Sequence, residues 1–379
     1  MPNTIQISNN ILDWVNASVA LNDDARVTLD LWRSGKKQPT FNQLEAFSKK
    51  TRIPLGYFFL SSPPVENLGI LEFRTDSSIL QNPSRDLIDT VRKMEEIQEW
   101  MRDHLIASHS EKITFAGSLD AASGVYDLAR AVRDLLALPE DWHNNFNKAD
   151  DAFKSIRETI SNSGVMVMMS GIVGLNTKRT LKLDEFRAFT LFDEYAPLIF
   201  INSTDTKSGM LFSLLHEFTH TCFGISSLFN SIDGESHFKE HHESVCNAVT
   251  AEILAPVEAF KEKWSSISGE IEEKTKAIAS YFKCSQSVVL RRTLDSKYIT
   301  NEEYQVLSKL ASYITKASGA RTGGDFYKTH ASRIDPKFLH ALHDGIQDGK
   351  TLHTEAFRLT NTNRSTFNDL YKKLLGERE

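Results

Sequence analysis

The residues with the clearest chemical potential are His216, Glu217 and His220, which form the pattern His-Glu-x-x-His. On an α-helix, residues four apart lie on one face with their Cβ atoms about 5–6 Å apart, so both imidazoles can bind one metal ion. Glu217 would then lie beside the ion, where a carboxylate can take a proton from water as a general base. This pattern is typical of zinc-dependent peptidases.

The segment around the motif is apolar and predicts a buried helix. Its apolar residues include Leu211, Leu214, Leu215 and Phe218, and Gly224 provides a helix stop soon afterwards. Imidazole and carboxylate groups in a buried helix need partners that offset the loss of hydration. A metal ion bound by both histidines would be such a partner.

A catalytic zinc ion takes three protein ligands and keeps a fourth position for water, so one more ligand is required. The downstream segment 243–256 is helical in composition and contains two candidates, Glu243 and Glu252. They are nine residues apart, and at 100° per residue they lie on opposite faces of a helix. At most one of them can therefore face the first helix.

Composition indicates an ordinary globular protein with room for two or three domains. The chain has 379 residues, of which 40% are hydrophobic and 25% charged, and its formal net charge is −6. This charge argues against a broad nucleic-acid-binding or membrane-binding surface. The cysteines, Cys222, Cys246 and Cys284, are odd in number and widely spaced, which does not indicate a disulfide framework. We expect Cys222 and Cys246 to be buried core residues rather than metal ligands.

The chain contains no apolar run near the roughly 18–20 residues that a membrane-spanning helix requires. Its first residues have neither the charged nor the apolar region of a secretory signal. Together with the cysteine content, these features predict a cytoplasmic protein in a reducing compartment with no membrane partner.

Residues 1–62 are predicted to form a small helical domain, with Thr40 as the N-cap of its third helix. The run from Trp32 to Thr40, with Leu44 and 53–59, resembles the second half of a helix-turn-helix domain of the phage-repressor (Xre) type. Between the first helix and Trp32 the chain is about nine residues shorter than that pattern. This shortening argues against sequence-specific DNA binding, so DNA is an open rather than an expected partner.

Hydrophobic periodicity predicts helices in the next part of the chain and then a change to strands. After a linker at Pro63-Pro64 and an extended segment at 71–75, helices are expected near 83–107, 118–137 and 150–162. Strands are expected at 165–169, 185–192 and 197–202. A small sheet thus precedes the helix that contains the motif.

The motif and the helix downstream of it together resemble the ImmA/IrrE family of intracellular metallo-endopeptidases. The resemblance rests on His216-Glu217-x-x-His220 followed by Glu243-x-x-x-Asn247-Ala248-x-x-Ala251-Glu252-x-Leu254-x-Pro256. The segments 186–189 and 197–202 are similar to the sheet that precedes the zinc helix in that family. The resemblance implies a zincin-like core of gluzincin type, in which a small sheet packs on the His-Glu-x-x-His helix.

Carried over to this chain, the resemblance makes His216, His220 and Glu243 the Zn²⁺ ligands and Glu217 the catalytic base. Asn247 lies one turn after Glu243 and could orient a ligand or the substrate. The residue that stabilises the oxyanion stays open; the candidates are Arg187, Tyr195, His237, His241 and His242.

The last third of the chain is predicted to be helical. Helices at 270–298 are followed by a flexible break at Gly319–Gly324 and by a helix pair within 354–371, which we interpret as packing rather than as a DNA contact. The expected fold class is α+β and predominantly helical. The expected domains are 1–62 (Xre-like), 63–110 (linker and long helix), 111–262 (zincin-like peptidase) and 263–379 (C-terminal helical region).

These features favour a cytoplasmic zinc endopeptidase of regulatory type. By resemblance, its substrate is a repressor or an antitoxin-like protein encoded on a mobile element. The alternative is a non-catalytic antitoxin or transcription regulator, whose helical units bind a cognate toxin or DNA while the zinc site is structural or vestigial.

Overall fold

The computed structural model describes residues 4–19, 21–64, 83–229, 240–317 and 330–375. The predicted extended segment at 71–75, the predicted break at Gly319–Gly324 and His237 lie outside these residues. The chain divides into two compact units, one of Met1–Gly69 with Ser77–Arg92 and the other of Ile70–Asp76 with Lys93–Glu379. In the described ranges, no helix is long and apolar enough to cross a membrane.

The first unit contains three helices around a core of its own. The helices are α1 (Asn9–Ser18), α2 (Asp23–Arg33) and α3 (Phe41–Thr51), followed by a 3-10 helix at Leu55–Phe59. Leu29, Trp32 and Phe47 lie in the core. Thr40 is the N-cap of α3, as predicted: its hydroxyl accepts the backbone N–H of Gln43, whose side chain accepts the backbone N–H of Thr40. The similarity of this unit to a helix-turn-helix domain stays a prediction.

The second unit is mostly helical. After α4 (Arg85–Ala107), which begins in the first unit, its helices are α5 (Val125–Leu135), α6 (Ala149–Asn162), α7 (Lys207–Phe223), α8 (Glu240–Leu254), α9 (Val257–Ser266), α10 (Ile271–Phe282), α11 (Gln286–Asp295), α12 (Asn301–Ala317), α13 (Pro336–Gln347), α14 (His353–Thr360) and α15 (Arg364–Leu375). A 3-10 helix at Trp142–Asn145 lies between α5 and α6. The predicted α+β, predominantly helical class is confirmed.

The strands of the second unit form one small sheet. They are β1 (Met166–Ser170), β2 (Ala188–Leu191), β3 (Leu198–Asn202) and β4 (Ser227–Phe229), in the order β1-β3-β2-β4. β1 is parallel to β3, whereas β2 is antiparallel to both β3 and β4. The first three strands lie where the sequence predicts them. β4 was not predicted, because a strand of three residues is too short to show an alternating pattern.

The helix predicted near 118–137 begins later, at Val125. The residues before it bond to the end of α7 instead: Gly117 N–H donates to the carbonyl of Thr221, and Leu119 N–H donates to the carbonyl of Cys222. These bonds tie 117–119 to the end of α7, and the helix begins only after Gly124, the N-cap residue, whose backbone is extended.

Helix α7 lies in the core of the second unit and contacts α6, α8, β2 and β3. Every residue from Met210 to Cys222 is buried. The Thr206 hydroxyl caps its N-terminus by accepting the N–H of Gly209 at 3.1 Å. Gly224 ends it with a φ of 73°, as predicted, and a Cβ at Gly224 would lie 3.0 Å from the Cα of Gly117.

A buried ion pair fixes the end of α8. Arg292 on α11 donates from Nη2 to Glu252 Oε2 at 2.5 Å and from Nε to the carbonyl of Ala255 at 3.0 Å. The other carboxylate oxygen of Glu252 accepts the N–H of Val257, the first residue of α9, at 3.2 Å. One carboxylate thus holds α8, α9 and α11 together.

The segment before α13 covers the free edge of β1. Met169 N–H donates to the carbonyl of Arg333 at 2.9 Å, and Val167 N–H donates to the fully buried carboxylate of Asp335 at 3.0 Å. Arg157 on α6 donates to the carbonyl of Val167 at 2.8 Å and to that of Ser332 at 2.7 Å. Edge groups that would otherwise need water or a further strand are therefore paired within the chain.

Replacing Arg292 by methionine should destabilise the second unit strongly. The Glu252 carboxylate would stay buried without its cation, which costs about 3–5 kcal/mol in the free energy of unfolding, measured by urea denaturation. The adjacent Arg291→Met is the matched control: Arg291 pairs with Asp295 on the surface, and its loss should cost about 1 kcal/mol or less. Equal effects of the two substitutions would contradict the role of the buried pair.

His143→Phe should reduce the loss of stability on acidification. His143 is buried beside the rings of Tyr281 and Phe282, and burial, with Lys283 nearby, lowers its pKa. Below about pH 6.5 the unfolded chain therefore binds more protons at this residue than the folded chain does, so stability falls as the pH falls. Free energies of unfolding at pH 7.5 and 5.5 measure the difference, and an unchanged difference in the variant would contradict this expectation.

Candidate metal centre

Helices α7 and α8 bring three of the predicted site residues into one cluster. His216 Nε2 lies 3.1 Å from His220 Nε2, one helical turn away. Glu243, in the first turn of α8, places Oε2 3.2 Å from His216 Nε2 and Oε1 3.2 Å from His220 Nε2. Both imidazoles are at most 1% exposed, and the Glu243 side chain is 20% exposed. One carboxylate oxygen thus faces each imidazole.

The spacing of these donors fits a small divalent ion. Ligand atoms about 2.0–2.1 Å from a tetrahedral ion lie about 3.3 Å from each other. The two imidazole nitrogens are 3.1 Å apart, and each lies 3.2 Å from a different oxygen of Glu243. Within the described residues, His216, His220 and Glu243 are the set of ligand atoms close enough to hold a metal. Nitrogen and carboxylate ligands of this kind suit Zn²⁺.

The cluster favours a positive charge at its centre. Burial by itself would raise the pKa of Glu243, but the imidazoles of His220 and His216 outweigh it and hold that pKa well below its usual range. Burial by itself would lower the pKa of His220, but Cys246 and Glu243 raise it well above its ordinary value. A cation bound between these groups would be stabilised by the same carboxylate.

Glu217 lies next to the cluster in sequence and is fully buried. Its Oε2 accepts hydrogen bonds from the hydroxyls of Thr190, at 2.6 Å, and Ser227, at 2.5 Å. Its Oε1 has no hydrogen-bond partner in the described part of the chain. Burial raises the pKa of Glu217, while His220 and His216 oppose the shift. The carboxylate is therefore fixed through one oxygen, and the second oxygen is left for a proton.

Sequence reasoning missed Thr190 and Ser227. Thr190 stands between Phe189 and Leu191 in β2, and a single hydroxyl inside an apolar strand is a signal that a polar partner faces it. Ser227 lies in β4, the strand that periodicity did not reveal, so the sequence contained no comparable signal for it.

The second glutamate of α8, Glu252, is not part of the cluster, because it is bound to Arg292. Asn247, one turn after Glu243, is half-buried, and its Oδ1 has no hydrogen-bond partner among the described residues. Its suggested orienting role stays a prediction.

The candidates for the oxyanion role remain separate possibilities. Arg187 is bonded to the buried carboxylate of Asp205 at 2.5 Å. His241 is exposed, and the His242 ring lies 6.2 Å from that of Phe223. The amino group of Lys112 lies over the Tyr195 ring. None of these contacts distinguishes one candidate from the others.

Two family models match parts of this chain. The model of the IrrE N-terminal-like domain, Peptidase_M78, matches residues 176–294, and the model of a domain of unknown function, DUF8813, matches residues 334–373. A search of curated proteins and a search of solved structures find no match. The first match includes the whole cluster and extends past residue 262, the predicted end of the peptidase domain. The domain boundaries inferred from the sequence stay predictions.

The matched residues run from β2 to α11, and the sheet that packs on α7 gives the zincin-like core expected of such a domain. In agreement with the resemblance found in the sequence, residues 176–294 are similar to the IrrE N-terminal-like domain of the Peptidase_M78 family, a family of metallopeptidases.

Proposed function

We propose that this protein is a zinc-dependent endopeptidase that hydrolyses a peptide bond in another protein. The observation that supports this function most directly is the convergence of His216, His220 and Glu243, with the buried carboxylate of Glu217 adjacent to them in α7. Three protein ligands leave a fourth position of a tetrahedral ion for water or substrate, as catalytic zinc sites require. A purely structural zinc site would use a fourth protein ligand.

A zinc ion held by His216, His220 and Glu243 would polarise the scissile carbonyl and make water more acidic. Glu217 is the residue that takes the proton as the water oxygen bonds to the carbonyl carbon. The same carboxyl group then delivers that proton to the amine nitrogen as the carbon–nitrogen bond breaks. Burial of Glu217 helps both steps, because it keeps bulk water from competing for the proton.

The substrate we propose is a repressor or an antitoxin-like protein. Support comes from the similarity of residues 176–294 to an IrrE-type domain and from the sequence resemblance of the first unit to repressor domains. The function is thus regulatory: cleavage would remove a DNA-bound or toxin-bound protein rather than degrade protein in general. In such a role the cell interior is the expected site of action.

Duplex DNA is not part of this proposal. The shortened helix-turn-helix resemblance identifies no recognition helix in the first unit, and α2 begins with the exposed carboxylates of Asp23 and Asp24. The phosphate backbone repels such groups. The binding-only alternative, in which helical units hold a cognate toxin or DNA, requires no zinc at all.

The purified chain should contain about one zinc ion per molecule, and His220→Ala should lose it. His220 supplies one of the three donors, and removing a ligand from a three-ligand site leaves too few donors to retain the ion through dialysis. Elemental analysis after dialysis measures the content. His241→Ala is the matched control, because His241 is exposed and outside the cluster. Metal-free wild-type protein that shifts operator DNA would support the binding-only alternative instead.

Glu217→Gln should retain zinc and the fold but lose cleavage of the true substrate by a factor of about 10² or more, because the amide cannot take the proton. Levels of repressors and antitoxins encoded near this gene, compared in cells with wild-type or variant protein, identify the substrate. Cleavage of the purified substrate then gives the rate. Glu258→Gln serves as the control, since Glu258 lies on the surface of α9. Equal levels of every candidate in both cells would argue against the proposed function.

A further inference from the structure

We propose that Thr190 and Ser227 are positioning residues that fix Glu217 so that Oε1 is the oxygen that accepts the proton. This assignment rests on the peptidase function proposed above and deepens it. Neither residue belongs to the His-Glu-x-x-His motif. They lie on two strands of the sheet that packs on α7.

The two hydroxyls reach the same carboxylate oxygen from neighbouring strands. Thr190 on β2 and Ser227 on β4 are directly paired in the antiparallel register. Thr190 Oγ1 lies 2.6 Å and Ser227 Oγ 2.5 Å from Glu217 Oε2, which are short distances of the kind found for hydroxyls that donate to a carboxylate. All three residues are at most 1% exposed.

A count of the available protons supports this direction of donation. Each hydroxyl has one proton to donate. Thr190 Oγ1 also lies 3.1 Å from the backbone carbonyl of Glu217, but that carbonyl already accepts the hydroxyl of Thr221 at 3.1 Å. Thr190 therefore donates its hydrogen bond to the carboxylate, which is the closer of its two possible acceptors. Because both hydroxyls donate their hydrogen bonds to Oε2, Oε1 is the oxygen left to act as a base.

The strands can hold this geometry rigidly. Threonine is branched at Cβ and has few side-chain conformations in a strand, and β2 is hydrogen-bonded on both sides, to β3 and β4. The carboxylate therefore has two fixed anchors. A carboxylate held by one flexible partner would sample orientations in which neither oxygen is directed at the reacting water.

Thr190→Val and Ser227→Ala remove each hydroxyl with little change in volume. We expect kcat to fall about tenfold or more in each variant, with KM unchanged, because a hydrogen bond to a charged group is lost while the substrate contacts remain. Thr190→Ser restores the hydroxyl and should recover most of the rate. Cleavage of a fluorescence-quenched peptide library provides the kinetic readout, with zinc content measured in parallel.

A matched control separates positioning from a general effect on folding. Thr293→Val removes a buried hydroxyl of α11 that donates to the carbonyl of Val289 at 2.7 Å, and it should leave kcat unchanged. If Thr190→Val lowers kcat no more than Thr293→Val does, or if Thr190→Ser fails to restore it, the positioning role is wrong.

Crystal structures of the zinc-loaded protein test the same role without a substrate. In the wild type, Glu217 Oε2 should lie within hydrogen-bond distance of both hydroxyls; in the Thr190→Val, Ser227→Ala double variant, the carboxylate should adopt another rotamer. An unchanged rotamer in the double variant overturns the proposal. If wild type and Glu217→Gln both fail to cleave the library and every candidate repressor and antitoxin, the peptidase function fails separately, and the crystal structures still decide whether the hydroxyls fix Glu217.

Discussion

The constraint on which the second unit depends is the burial of three ionisable side chains in one helix. α7 is enclosed along most of its length, and His216, Glu217 and His220 are at most 1% exposed. Ionisable groups taken out of water destabilise a fold unless hydrogen bonds or opposite charges replace the lost hydration. Three neighbouring elements supply such partners. α8 directs the carboxylate of Glu243 at both imidazoles, and β2 and β4 direct hydroxyls at Glu217.

The geometry of α8 explains why one helix can serve both the site and the fold. Glu243 and Glu252 lie on opposite faces, and each has its own partner: the imidazole pair on one side and the guanidinium of Arg292 on the other. The Arg292 pair, with the bond from Val257 to Glu252, sets the position at which α8 ends. Because a helix is stiff over four turns, fixing its end also fixes where Glu243 stands relative to α7.

Much of this site could be predicted from the sequence, because helical spacing places groups on a face with little dependence on the rest of the fold. The pairing of His216 with His220, the burial of α7 and its end at Gly224 follow from such local rules. The choice between Glu243 and Glu252 needed the family resemblance, since spacing shows only that they face apart. Thr190 and Ser227 could not be predicted as a pair. Their proximity depends on strand register across β2 and β4, and register is a long-range property that a three-residue strand does not reveal.

The C-terminal match to a domain of unknown function begins at a segment that is hydrogen-bonded to the edge of the sheet. Residue 334 is its first matched position, and the next residue, Asp335, has two tasks. One carboxylate oxygen caps α13 by accepting the N–H of Lys337, and the other accepts the N–H of Val167 in β1. Arg157 binds carbonyls on both sides of this junction, those of Val167 and Ser332. Without this segment, Arg157 and the β1 backbone groups would need water or a further strand as partners. The C-terminal helices are therefore bonded to the same sheet as β1, which lies beside β3, and β3 contacts α7.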